Sequence, residues 1–189
     1  GRVTSDARPD PTYFVETLSF GLDAAIAIDT TTRRAGGTRQ QGSGLFITSS
    51  LKVFSRAHRP FPSTVRIDGG EPRSLETLIL ALQNGASYGG GFKICPGAVP
   101  NDGLFDLCYN VGRPWVPHLL FLLGLARFGR HVGSSFVRFE QARRLEADFS
   151  ACTDGCPCQV DGEELVGSRF VAEVVPQALR VIVPAGCSW

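Results

Sequence analysis

Gln159-Val160-Asp161-Gly162-Glu163-Glu164 decides how this chain is read. A short apolar run leads into an Asp-Gly pair, and both residues of such a pair tolerate the positive φ that a tight two-residue hairpin demands. The same dipeptide recurs at Asp68-Gly69, Asp102-Gly103 and Asp154-Gly155. Working outward, the apolar runs between these turns read as strands: Thr64–Ile67, Phe92–Ile94, Leu104–Val111, Phe136–Phe139, Arg143–Phe149, Cys158–Val160, Arg169–Val175 and Leu179–Val183. Leu75 to Leu82 is almost unbroken apolar sequence, as expected of a strand buried on both faces or a short buried helix. Many short strands separated by Gly, Pro, Asn and Asp argue for a mainly β domain, a sandwich or barrel.

Residues 1–12, polar with Pro9 and Pro11, read as a linker or edge segment. Tyr13–Phe20 looks like a strand ended by Gly21, Leu22–Ile28 like one or two helical turns, and Thr30–Gly37 like a polar loop. Ser43–Arg56 has a helical apolar face, stopped by Pro60 and Pro62. Pro117–Phe128 (PHLLFLLGLARF) is helical in composition and too short to cross a bilayer. It fits a helix packed on the sheet. It also fits a helix at a lipid-facing mouth, with Arg127, Arg130 and His131 near phosphate head groups.

Composition narrows the class. The 189 residues suit one domain, and 43% hydrophobic content can build a core. A net charge of +1, from 19 basic and 18 acidic residues, gives no electrostatic case for nucleic acid. The opening Gly1-Arg2-Val3-Thr4-Ser5-Asp6 has no export signal, and no apolar run is long enough to span a membrane. Met is absent even at position 1, so the expectation is an internal or C-terminal piece of a longer chain, or a processed one. Six cysteines are scattered, with one cluster at Cys152, Cys156 and Cys158. Three thiols can contribute to a zinc site, but the paired C-x-x-C knuckles of structural zinc are missing, and reduced thiols are the default.

Three constellations carry candidate chemistry. Asp161 and Glu163, one residue apart, sit where a turn can hold two carboxylates beside one hydroxyl and let one accept its proton. Asn84 to Gly91 (NGASYGGG) ends in three glycines, a loop whose backbone can approach a ligand, with Asn84, Tyr88, Gly89 and Gly90 facing a substrate cleft. No Lys-Ser/Thr follows, so it is not a P-loop. Cys95 to Leu107 contains the turn Asn101-Asp102-Gly103, where Asp102 and loop carbonyls could ligate a hard cation such as magnesium. Each also fits a plain turn or hairpin. His58, His118 and His131 have no metal-like spacing, and His118 reads as a packed side chain. No G-x-S-x-G elbow is present.

Taken together, Phe14–Ala24 (FVETLSFGLDA), Asn84–Pro96 (NGASYGGGFKICP), Ala98–Leu107 (AVPNDGLFDL), Phe136–Glu146, Gln159–Glu163 (QVDGE) and Leu179–Pro184 (LRVIVP) resemble the C-terminal half of the diacylglycerol kinase and sphingosine kinase superfamily, in particular its soluble bacterial lipid kinases. The resemblance implies a β-sandwich lobe, NAD kinase-like, with one or two packed helices over residues 13–189. It also implies a separate nucleotide-binding lobe carrying G-G-D-G-T, a stretch absent from this chain. By the same resemblance Glu163 is the proton acceptor and Asp161 its orienting partner, while Asp102 with the carbonyls of Val99 and Leu104 holds Mg2+. The implied reaction is phosphoryl transfer from ATP to diacylglycerol or a similar lipid alcohol, which rests on positioning and charge neutralisation. The nucleotide would bind through the missing N-terminal lobe, so the chain alone is expected to be inactive. The implied setting is cytoplasmic, with transient contact with a membrane surface; a homodimer stays open. A non-catalytic ligand-binding module and a kinase for a sphingoid base are the rival readings.

Overall fold

The computed structural model describes residues 1–56, 59–182 and 184. Twelve strands are formed: β1 (Arg2–Ser5), β2 (Arg8–Tyr13), β3 (Thr17–Gly21), β4 (Phe61–Ile67), β5 (Arg73–Thr77), β6 (Ile79–Gln83), β7 (Phe105–Asn110), β8 (Val137–Ala142), β9 (Arg144–Asp148), β10 (Cys158–Val160), β11 (Glu163–Glu164) and β12 (Arg169–Glu173). Three α-helices, α1 (Leu22–Ala35), α2 (Gly42–Arg56) and α3 (Val116–Ala126), and a 3-10 turn at Arg130–Gly133 complete the described elements. The strands make two antiparallel six-stranded sheets, ordered β2-β1-β12-β9-β4-β5 and β11-β10-β3-β6-β7-β8. This is a sandwich, one of the two architectures the turn spacing allowed and the one the resemblance implied, with one more helix than expected.

Two cores explain the layering. Leu18, Phe20, Leu80, Leu82, Phe105 and Leu107 of the second sheet meet Val3, Val65, Leu145, Ala147 and Phe170 of the first, and Phe14, from the segment between β2 and β3, joins them in the space between the sheets. The aromatic rings interlock there, Phe20 on Phe149 at 5.2 Å and Phe14 on Phe105 at 5.5 Å. The opposite face of the second sheet is also apolar. Ala81 and Cys108 point that way and pack with Leu22 and Ile26 of α1, Phe46 and Phe54 of α2, and Leu119 and Ala126 of α3. One sheet is therefore covered on both faces, which is why β6 reads as an apolar run rather than an alternating one.

Several expectations change in detail. Residues 1–12 form β1 and most of β2, with β2 at the outer edge of the first sheet. The run Tyr13–Phe20 is broken at Phe14–Glu16. Thr30–Gly37 is not a loop: α1 continues to Ala35, with the Thr30 and Thr32 hydroxyls bonded back to the carbonyls of Ile26 and Ile28. Leu75–Leu82 is not one element but two, β5 in the first sheet and β6 in the second. The switch falls at Leu78, where the Asn110 side chain accepts the N–H groups of Leu78 and Ile79 (2.7 and 3.0 Å) and donates to the carbonyls of Glu76 and Gly112. Phe92–Ile94 makes only a single bridge, Tyr88 to Phe92. Residues 179–182 are exposed and form no strand. His118 is packed as expected, its ring 4.6 Å from Phe136. His58, Val183 and Cys187 lie outside the described residues.

Candidate functional site

The Asp161-Gly162 turn joins β10 to β11, with φ of 47° and 93° at its two residues. It is fastened from three directions. The Asp161 carboxylate accepts the main-chain N–H groups of Val15 (2.7 Å), Glu16 (3.0 Å) and Thr17 (2.8 Å), while its own N–H donates to the Thr17 carbonyl (2.9 Å). The hydroxyl of Thr31, on α1, donates to the Gly162 carbonyl (2.9 Å). Buried Gln159 accepts the Gly162 N–H (2.7 Å) and donates to the Ser19 hydroxyl (2.8 Å). Asp161 thus has a structural task first: it ties the hairpin to the start of β3. Glu163, on β11 and paired with Val160 of β10, is exposed; its side chain makes no hydrogen bond or ion pair among the described residues, and it is not among the residues lining the neighbouring cleft.

The turn forms one wall of a cleft of about 250 Å³. Tyr88, Gly89 and Gly90, Phe46 of α2, and Thr30, Thr31 and Arg34 of α1 also line it. The structure therefore brings Asp161 and the glycine loop together, although they are distant in sequence. The glycines are required: Gly89, Gly90 and Gly91 all have positive φ. A Cβ on Gly90 would lie 2.9 Å from the Ser43 main-chain nitrogen, and one on Gly89 would lie 2.7 Å from the Phe46 ring. Asn84 does not line the cleft. Its amide donates to the Val15 carbonyl (2.8 Å), bracing the segment that holds Asp161.

Glu16 and Asp23 are the acids that sequence reading overlooked. Glu16 lines the cleft beside Asp161, and burial first, the Asp161 charge second, push its pKa up. Asp23, in the first turn of α1, is buried, and burial outweighs the nearby Tyr88 and Ser19 hydroxyls to raise its pKa. One Asp23 oxygen and the Tyr88 hydroxyl are buried without hydrogen-bond partners. Asp23 also lines a second, narrow cavity of about 60 Å³ bounded by Leu22, Ile26, Leu78, Cys108, Leu119, Leu122 and Ala126. Tyr88 faces the polar cleft and Asp23 the apolar cavity, and the two side chains are neighbours. A polar and an apolar compartment thus meet at one pair of residues.

The third constellation stands apart from both. Asp102 is exposed, and one carboxylate oxygen accepts the Leu104 N–H (2.8 Å), while its own N–H reaches the Val99 carbonyl at 3.3 Å. That Asx turn leaves one Asp102 carboxylate oxygen free, while the Val99 carbonyl already accepts the Asp102 N–H; a hard oxygen donor of this kind suits a cation retaining most of its water. Among the described residues, no three His, Cys, Asp or Glu side chains converge as metal ligands. Cys152, Cys156 and Cys158 are free thiols, and burial raises the pKa of each.

With this geometry in place, comparison with known proteins is decisive about family. Residues 16–183 match the model of the YegS C-terminal NAD kinase beta sandwich-like domain. The chain belongs to that family. Among curated relatives, a probable lipid kinase YegS-like from Pectobacterium atrosepticum is 34% identical over 180 residues, covering 95% of this chain and 56% of the relative. Another from Citrobacter koseri is 32% identical over 183 residues, covering 94% and 55%. The chain thus spans about half the length of the curated relatives it matches. A putative diacylglycerol kinase from Bacillus anthracis shares the fold, with TM-score 0.58 at 14% identity, over 93% of this chain and 52% of that one. Among the described residues no helix is long and apolar enough to cross a membrane.

Proposed function

We propose that this chain is the acceptor-binding half of an ATP-dependent lipid kinase that phosphorylates the hydroxyl of diacylglycerol or a closely similar lipid alcohol. The observation that carries the reading is the meeting of a polar cleft and an apolar cavity at Asp23 and Tyr88. An amphiphilic alcohol has that division: an apolar end suited to the cavity between α1 and α3, which would have to widen to admit a whole acyl chain, and a hydroxyl suited to the cleft. Glu163 is the proton acceptor. It is exposed and unpaired, and it follows directly on a turn too tightly fastened to wander. Asp161 positions it by locking the hairpin, and Arg34 supplies a cation to the cleft wall for a developing phosphate charge. ATP binds through a nucleotide-binding lobe outside this chain. Mg2+, where bound at Asp102 and the carbonyls of Val99 and Leu104, would neutralise charge and stiffen the loop before β7.

The test is transfer of radiolabelled phosphate from ATP by the full-length protein to a panel of diacylglycerol, monoacylglycerol, a sphingoid base and a polyprenol. Diacylglycerol should be the preferred acceptor, and Glu163→Ala should lower turnover by about a hundredfold or more. Unchanged turnover in that variant would remove Glu163 from the mechanism. A protein that binds these lipids but transfers no phosphate to any of them would make the domain a binding module.

A further inference from the structure

We infer that the outer face of α3 is a docking surface for an anionic lipid bilayer. The inner face of this helix is accounted for: Leu119, Leu122 and Ala126 line the apolar cavity. The outer side is not. Trp115 is 71%, Phe121 62% and Phe128 70% exposed, and Val132 follows at 49%. A solvent-exposed surface this rich in large aromatics needs a partner.

Charge identifies the partner. Between Val111 and Val137 the chain has Arg113, Arg127 and Arg130 and no Asp or Glu. This stretch carries +3 against +1 for the whole chain, leaving −2 for the remainder. None of the three arginines makes an ion pair among the described residues. Arg113 stands beside Trp115 at the start of the helix, and Arg127 and Arg130 flank Phe128 at its end. Exposed Lys93 joins that end, its main-chain N–H bonded to the Ala126 carbonyl (2.9 Å). Exposed Trp and Phe fringed by unpaired cations match the boundary between acyl chains and anionic head groups.

The surface also touches the end of the glycine loop. The Arg127 guanidinium donates to the Gly91 carbonyl (2.8 Å) and lies 6.0 Å over the Phe92 ring. A lipid crossing α3 from the bilayer would enter the apolar cavity that Leu119, Leu122 and Ala126 line. The docking extends the lipid-alcohol reading and rests on it only for the direction in which substrate arrives.

The test uses the 189-residue chain and vesicles lacking both substrate lipid and ATP, so it stands or falls apart from the kinase reading. Sedimentation should show binding to phosphatidylcholine vesicles containing one-third phosphatidylglycerol, weakening with salt, and little binding to phosphatidylcholine alone. In a Trp189→Phe background, Trp115 emission should shift to the blue on binding. Combining Trp115→Ser, Phe121→Ser and Phe128→Ser, all at exposed positions, should lower partitioning by about tenfold or more with circular dichroism unchanged. Arg113→Gln with Arg130→Gln should remove the preference for anionic vesicles. Equal sedimentation of the aromatic variant, no sedimentation of the unmodified chain, or a dimer in light scattering that the aromatic substitutions dissolve would each overturn the assignment. The last would mean that a second copy covers the face.

Discussion

Asp68-Gly69 and Asp161-Gly162 are nearly the same turn. Asp68 has φ 48° and Gly69 72°, against 47° and 93° at the second pair. In both, the Asp carboxylate reaches out of its hairpin to take main-chain N–H groups from a neighbouring segment. Asp68 takes Arg143 and Arg144 (2.9 and 2.8 Å); Asp161 takes Val15, Glu16 and Thr17. What differs is the neighbourhood. The second turn has helix α1 beside it, a glycine loop lining the same cleft and a free glutamate immediately after it, whereas Gly69 has open space around its α-carbon. The fastening is a device for building the sandwich, used twice, and chemistry enters only where the fastened turn borders a cleft.

This contrast can be broken by substitution. The largest stability loss should come from Asp161→Ala, which strands three N–H groups, at about 3 kcal/mol, with Asp68→Ala near about 2 kcal/mol in urea unfolding. Equal losses would mean that the extra bond at Asp161 adds nothing. Next comes Gly90→Ala, where positive φ and the Ser43 backbone act together, at about 2 kcal/mol; Gly69→Ala, with strain but no clash, should cost about 1 kcal/mol. A smaller effect separates the buried acid from the turn acids. The raised pKa of Asp23 means that its stability contribution is complete below its unfolded value of 3.8 and is lost as pH rises through the folded value. The stability difference between the native chain and Asp23→Asn should therefore move in favour of Asn as pH climbs from about 4. A pH-independent difference would mean that Asp23 is not desolvated. Glu163→Gln should change stability by less than about 0.5 kcal/mol, because the side chain is exposed and makes no hydrogen bond or ion pair among the described residues.

Much of this was legible in the sequence, for physical reasons that can be named. The Asp-Gly turns announce themselves because few other residues accept positive φ, and a sandwich or barrel follows from their spacing; the resemblance chose the sandwich. The triple glycine was legible as a loop allowing close approach, though not that the approaching groups are Phe46 and Ser43 of α2. Thr30, Thr31 and Thr32 hid the second half of α1: β-branched residues are poor helix formers, and only packing on α2, with Asp29 paired to Lys52, sustains the helix there. The break at Leu78 was invisible because its cause, Asn110, lies 32 residues away. The local pattern singled out Asp161, which lines the cleft, and Glu163, which does not. It did not find Glu16, Asp23, Gln159, Thr31 and Arg34, since they become neighbours only through sheet pairing and the seat of α1.

The central claim is that cleft and cavity are one site for one amphiphile. Titrating the isotope-labelled chain with dioctanoylglycerol, read residue by residue by NMR, tests it directly. The account predicts saturable shifts at Leu119, Leu122 and Ala126 in the cavity together with Tyr88, Gly90 and Gly162 in the cleft, at a common midpoint. Shifts confined to one compartment, or to exposed positions away from both, would contradict it.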